Sequence, residues 1–318
     1  MMRTRHDPVS KYEPLAVGLL LAVAAILAPV PLYLLAIVLL GLPHVLWEMN
    51  WVKRIYGASI PSAWWLAMGC VLLLQVFARL GNWAALVPSE ISVILDLMTL
   101  AVLALMTAGL VQHLGGRHAR RSVLMALAMG IGLILAVAAG NVVGVLVFLA
   151  MAHNFTPWLL TPHNLRVAQQ PARRPLSLLF LLPWLVALLL WFAPTLAPSL
   201  DLSGKPWLPG EADWFQLHLP ETFRAALSAM VLAQCLHYYA VLRLWPAMLP
   251  SQGFRQWQKW ALLLTVLLLG YFLMNFSSAR RLYAVASGVH AWLELPLILL
   301  LLSGIQPVPP DVLVEERF

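Results

Sequence analysis

The chain has 318 residues, of which 62% are hydrophobic and only 10% charged, and its mean hydropathy is +0.84. So little polar side chain cannot cover a water-soluble globule, and the sequence is that of a polytopic membrane protein. The formal charge of +7 comes from basic residues scattered in short clusters between apolar runs. That pattern is a topology signal and excludes a nucleic-acid footprint.

Residues 1–30 mimic a secretory signal, with Arg3, Arg5 and Lys11 before an apolar core. They read as an uncleaved first span, because the following segment would pack against nothing without it. Breaks at Pro, Gly, Asn and charge clusters then predict an all-α integral membrane bundle of about ten helices, at 15–29, 31–52, 61–80, 90–112, 122–139, 142–162, 175–197, 222–246, 260–277 and 282–303. Pro29-Val30-Pro31 and Gly140-Asn141 make two tight hairpins, and merging or discarding such short elements gives the alternative count of eight. The whole chain, 1–318, forms one transmembrane domain. Its longest outer loop, 198–221, carries Trp207 and Trp214 and suits an external element lying at the membrane interface.

Lys and Arg accumulate on the cytoplasmic side of a bacterial-type inner membrane. With both termini inside, fifteen of the twenty basic residues face the cytoplasm; Arg79, Lys205, Arg224, Arg280 and Arg281 do not. Cys70 and Cys235 lie singly in apolar runs and offer neither a disulfide framework nor a zinc site.

In this topology His44, His153, His237 and His290 fall in the second, sixth, eighth and tenth spans, all running from outside to inside. The first three lie roughly 12–14 Å from the cytoplasmic ends of their spans, and His290 roughly 20 Å. Parallel helices at such depths can bring four imidazoles together. Two of the histidines carry a carboxylate one turn on: His44 with Glu48, and His290 with Glu294. Ionisable groups inside a membrane are costly and mark function by default, although a lone histidine there is more often a packing residue with its carboxylate as hydrogen-bond partner. Neutral imidazole favours Fe, Zn or Cu, and a carboxylate adds a ligand or orients a ring. The four histidines are therefore candidate metal ligands, with Glu48 and Glu294 as catalytic or ligand-orienting groups. Asn50, Asn154, Gln234, Tyr238, Tyr239 and Asn275 stand nearby, while Gln75 and Asp96 lie in other spans. The sequence holds no Ser/His/Asp nucleophile elbow, phosphate-binding glycine loop or Cys-x-x-Cys.

Gly41-Leu42-Pro43-His44 with Glu48 resembles the Gly-x-Pro-His-Gly-x-x-Asp element of the bacterial beta-carotene dioxygenase family, Brp/Blh; Val45 replaces the second Gly and Glu replaces Asp. Ala152-His153-Asn154-Phe155 is loosely similar to that family's His-Phe element. The segment around His237 resembles the one where the family carries two histidines four apart, with Val241 in the second place. The resemblance implies non-haem iron held by membrane histidines and oxidation with O₂ of a lipophilic substrate such as a carotenoid or other isoprenoid, drawn from the bilayer. Two other classes stay open: a haem protein transferring electrons through paired axial histidines, and a non-catalytic subunit or assembly factor with a membrane-protein partner or a second copy of itself.

Overall fold

A computed structural model describes residues 12–57, 60–115, 119–140, 149, 151–160, 177–196, 221–248 and 255–303. These residues are almost wholly helical and include no strand. The helices are α1 (Glu13–Leu27), α2 (Pro29–Ala36), α3 (Leu42–Tyr56), α4 (Ser62–Trp83), α5 (Ser89–His113), α6 (Ala119–Ala138), α7 (Thr156–Leu160), α8 (Leu182–Phe192), α9 (Glu221–Tyr239), α10 (Trp245–Met248), α11 (Arg255–Met274) and α12 (Phe276–Leu302).

Among the described residues, five helical stretches are long and apolar enough to cross a bilayer: Pro29–Lys53, Ser62–Trp83, Ser89–His113, Ala225–Leu244 and Phe276–Leu302. This corrects the expected count of about ten. The remaining apolar helices, Glu13–Leu27, Val123–Gly132, Ser177–Phe192 and Lys259–Met274, are shorter. At 1.5 Å per residue such helices fall short of a hydrocarbon core about 30 Å thick unless the bilayer adapts. Residues 142–148, 150, 161 and 162 of the expected span 142–162, and the loop 198–221 apart from its last residue, Glu221, lie outside the described residues.

Two stretches of π-helix, Ile37–Gly41 and Ala240–Leu244, join α2 to α3 and α9 to α10. Each is followed within two residues by a proline, Pro43 or Pro246. Proline donates no backbone hydrogen bond and crowds the carbonyl four residues back, and the wider π turn accommodates that defect without ending the helix. The first π turn delivers the chain directly to His44.

The chain divides into two compact units, Met1–His44 with His163–Ala279, and Val45–Pro162 with Arg280–Phe318. In the first, Val30 and Ala36 of the α2 segment pack against Leu227, Val231, Cys235 and Tyr238 of α9. Glu13 at the start of α1 holds Arg243 through Nε (2.7 Å) and Nη2 (3.0 Å). In the second, small residues let helices approach closely: Ala104 and Ala108 of α5 pack with Ala126 of α6 and Leu299 of α12. Large apolar side chains such as Leu66, Phe77, Ile134, Leu188 and Leu273 are exposed, which makes an outer surface suited to lipid.

Candidate metal centre

His44, Glu48, His237, His290 and Glu294 are each at most 2% exposed, so five of the six sequence-selected groups are buried. His153 is half-buried. It closes a helical turn, followed at once by tight bonds from Asn154 N to Met151 O and from Phe155 N to Ala152 O. The Thr156 hydroxyl donates to the His153 carbonyl at 2.7 Å and satisfies a group that the broken helix would leave open.

In the second unit four groups converge. His153 Nδ1 lies 2.6 Å from Glu294 Oε2, a short contact of the kind made between charged partners. The His153 and His290 rings meet edge to face, with centroids 4.7 Å apart. His290 Nε2 lies 3.8 Å from Glu48 Oε2, and Glu48 and Thr156 both lie against Glu294. Glu48, His290 and Glu294 each present a ligand atom within 4.8 Å of the others, and so do His153 and His290 as a pair. The spacing suits an ion: ligands about 2 Å from one metal stand some 3–4 Å from each other.

Donor chemistry points the same way. A carboxylate only accepts, so the contact to Glu294 is met by a hydrogen on His153 Nδ1, the carboxylate–histidine arrangement common around metals. Glu294 Oε1 is buried and accepts no hydrogen bond. Two buried carboxylates at this range also repel, and a divalent cation would neutralise both. The buried His/Glu cluster can therefore hold a metal ion.

The chain matches no family model, no curated protein and no solved structure. Local geometry must carry the functional argument.

The first unit holds a histidine pair. His44 and His237 meet edge to face with centroids 5.2 Å apart, and Tyr238 stacks on His44 at 3.9 Å. His44 Nδ1 donates to Leu40 O at 3.2 Å; Leu40 belongs to the π turn set by Pro43. The carbonyl can only accept, so this contact sets the hydrogen on Nδ1. Gln234 Nε2 donates to the Tyr238 hydroxyl at 2.7 Å and steadies the stacked ring.

Several of the other polar residues do different work. Asn275 caps α12, its Oδ1 accepting from Ser278 N at 3.0 Å. Tyr239 donates to Glu13 at 3.3 Å, away from the histidines on its own helix. Asp96 is bound by Arg79, Nη2 to Oδ2 at 2.8 Å. Thr156 was absent from the sequence reading, although a threonine three residues after a helix-ending histidine is a local signal for capping.

Proposed function

We propose that the protein is a membrane-embedded metal oxidoreductase acting with O₂ on a lipophilic substrate such as a carotenoid or other isoprenoid. His153, His290, Glu48 and Glu294 hold the ion in this reading, and the His44–His237 pair of the first unit is a candidate ligand set of its own. The observation that carries it is the His153–Glu294 pair beside the buried His290 and Glu48. Carboxylate mixed with imidazole suits non-haem iron better than a bis-histidine haem axis, which has no place for a carboxylate. Bound there, iron would supply O₂ binding and activation.

The chain's own residues have three tasks. Glu294 orients His153 and holds the hydrogen on Nδ1. Glu48 adds charge against the cation beside His290. The apolar helices exclude water and offer lateral entry from the bilayer, so the substrate is lipophilic. The resemblance of Gly41–Glu48 to the Brp/Blh element supports a carotenoid. The charge distribution supports a bacterial-type inner membrane with both termini cytoplasmic.

Metal analysis and an optical spectrum of protein purified in detergent test the reading, together with product analysis after adding β-carotene under air. Iron without a Soret band, and an oxygen-dependent apocarotenoid product, are expected. A Soret band would replace the reading with haem-based electron transfer. Absence of bound metal would remove it.

A further inference from the structure

On α4 the buried residues are Trp64, Met68, Leu72, Gln75 and Ala78. Gln75 is 0% exposed, yet neither Oε1 nor Nε2 makes a hydrogen bond. A buried amide left in that state loses its bonds to water without replacement, which destabilises the fold. Such a side chain is expected to have a partner that the described residues do not provide.

Arg79, one turn further along α4, shows what Gln75 faces. Its guanidinium grips Asp96 of α5 through Nε and Nη2, and Nη1 donates to Ala284 O of α12 at 2.8 Å. Gly288 lies under the guanidinium, where any side chain would collide with it. Further along the same helices, Ala104 and Ala108 of α5 pack with Leu299 of α12, so α5 and α12 run in the same direction. Since α4 turns back into α5 at residues 84–88, it runs against both. A step from Arg79 back to Gln75, about 6 Å, therefore leads from Gly288 to the level of His290 and Trp292.

Trp292 is one turn from Gly288 on the same face of α12. Its Nε1 is buried and likewise makes no hydrogen bond. Two donors and one acceptor, from two helices joined by Arg79, thus stand unmet at one level of an apolar unit. An apolar ligand would leave them so. A hydroxyl oxygen would accept from Trp292 Nε1 and Gln75 Nε2 while donating to Gln75 Oε1.

We propose that Gln75 and Trp292 form a binding site for a hydroxyl group, brought by a lipophilic alcohol or by water. Only the identification of that alcohol with a substrate rests on the functional reading above. On that reading the site makes an oxygenated isoprenoid the better substrate and a pure hydrocarbon such as β-carotene a poorer one, because groups placed to bond a hydroxyl are left unmet by the analogue lacking it.

The test uses the metal-free full chain in detergent, so loss of the metal reading does not affect it. Farnesol and farnesene are titrated against wild type and Gln75→Met, with intrinsic tryptophan fluorescence as readout, and radiolytic labelling of the ligand-free protein reports bound water at Trp292. A preference of at least about 10-fold for farnesol in wild type, falling to about 1 in Gln75→Met, is expected and makes the alcohol the ligand. No preference, with strong labelling at Trp292 that disappears in Gln75→Met, makes water the ligand. Equal binding in both proteins without labelling overturns the proposal and leaves Gln75 an unpaired amide, whose replacement by Met would then raise the melting temperature. Trp292→Phe repeats the titration from the other side of the site.

Discussion

His153 Nδ1 and Glu294 Oε2 lie 2.6 Å apart although 141 residues separate them in sequence. Glu294→Gln keeps the size and an accepting oxygen but loses the charge. The variant should fold, with metal affinity reduced by about 10–100-fold, the usual effect of changing an outer partner of a ligand. Competition against a chelator measures it. Unchanged affinity would remove Glu294 from the metal site.

Stripping the ion with a chelator should lower thermal stability, since a ligand that binds only the folded state stabilises it by about 2.7 kcal/mol at 100 times its dissociation constant. Adding Fe²⁺ back should restore the melting temperature. A transition indifferent to both treatments would mean that the folded protein holds no such ion.

Gly288→Ala should destabilise the protein even though alanine favours a helix interior by about 1 kcal/mol over glycine. The added methyl displaces a guanidinium already committed to Asp96 and Ala284 O. Asp96→Asn breaks the same pair and should cost about 2–4 kcal/mol. Denaturation in mixed detergent compares the variants; wild-type stability in both would leave the Arg79 contacts without energetic weight.

Pro43→Ala restores a backbone donor where the π turn now accommodates its loss. The helix should tighten toward α geometry and draw the Leu40 carbonyl away from His44 Nδ1. Stability is expected to hold while bound metal falls. Full metal content in this variant would exclude His44 as a ligand that needs this orientation.

Reporter fusions at the two ends should both read cytoplasmic. An odd number of crossings, such as the five long helices alone, would put them on opposite sides, so this result tests whether shorter apolar helices also cross. Fusions at Arg173 and Gly210 should differ in sidedness.

The sequence alone determined that the chain is a helical membrane protein and which of its polar groups are buried. Both follow from solvation: apolar runs cannot face water, and an ionisable residue inside one must turn inward, so His44, Glu48, His237, His290 and Glu294 could be picked out without coordinates. Their partners were not legible. Spacing along a helix suggested Glu48 for His44 and Glu294 for His290, whereas the tertiary structure sets Glu294 against His153 and Glu48 near His290. Side chains one turn apart lie side by side, and what their tips meet is decided by which helices pack together and at what height. The packing of Leu299 of α12 against alanines of α5, the place of Gly288 beneath Arg79, and the burial of the Gln75 amide all depend on that arrangement. A single strand of sequence specifies each of these residues but not the distance between them.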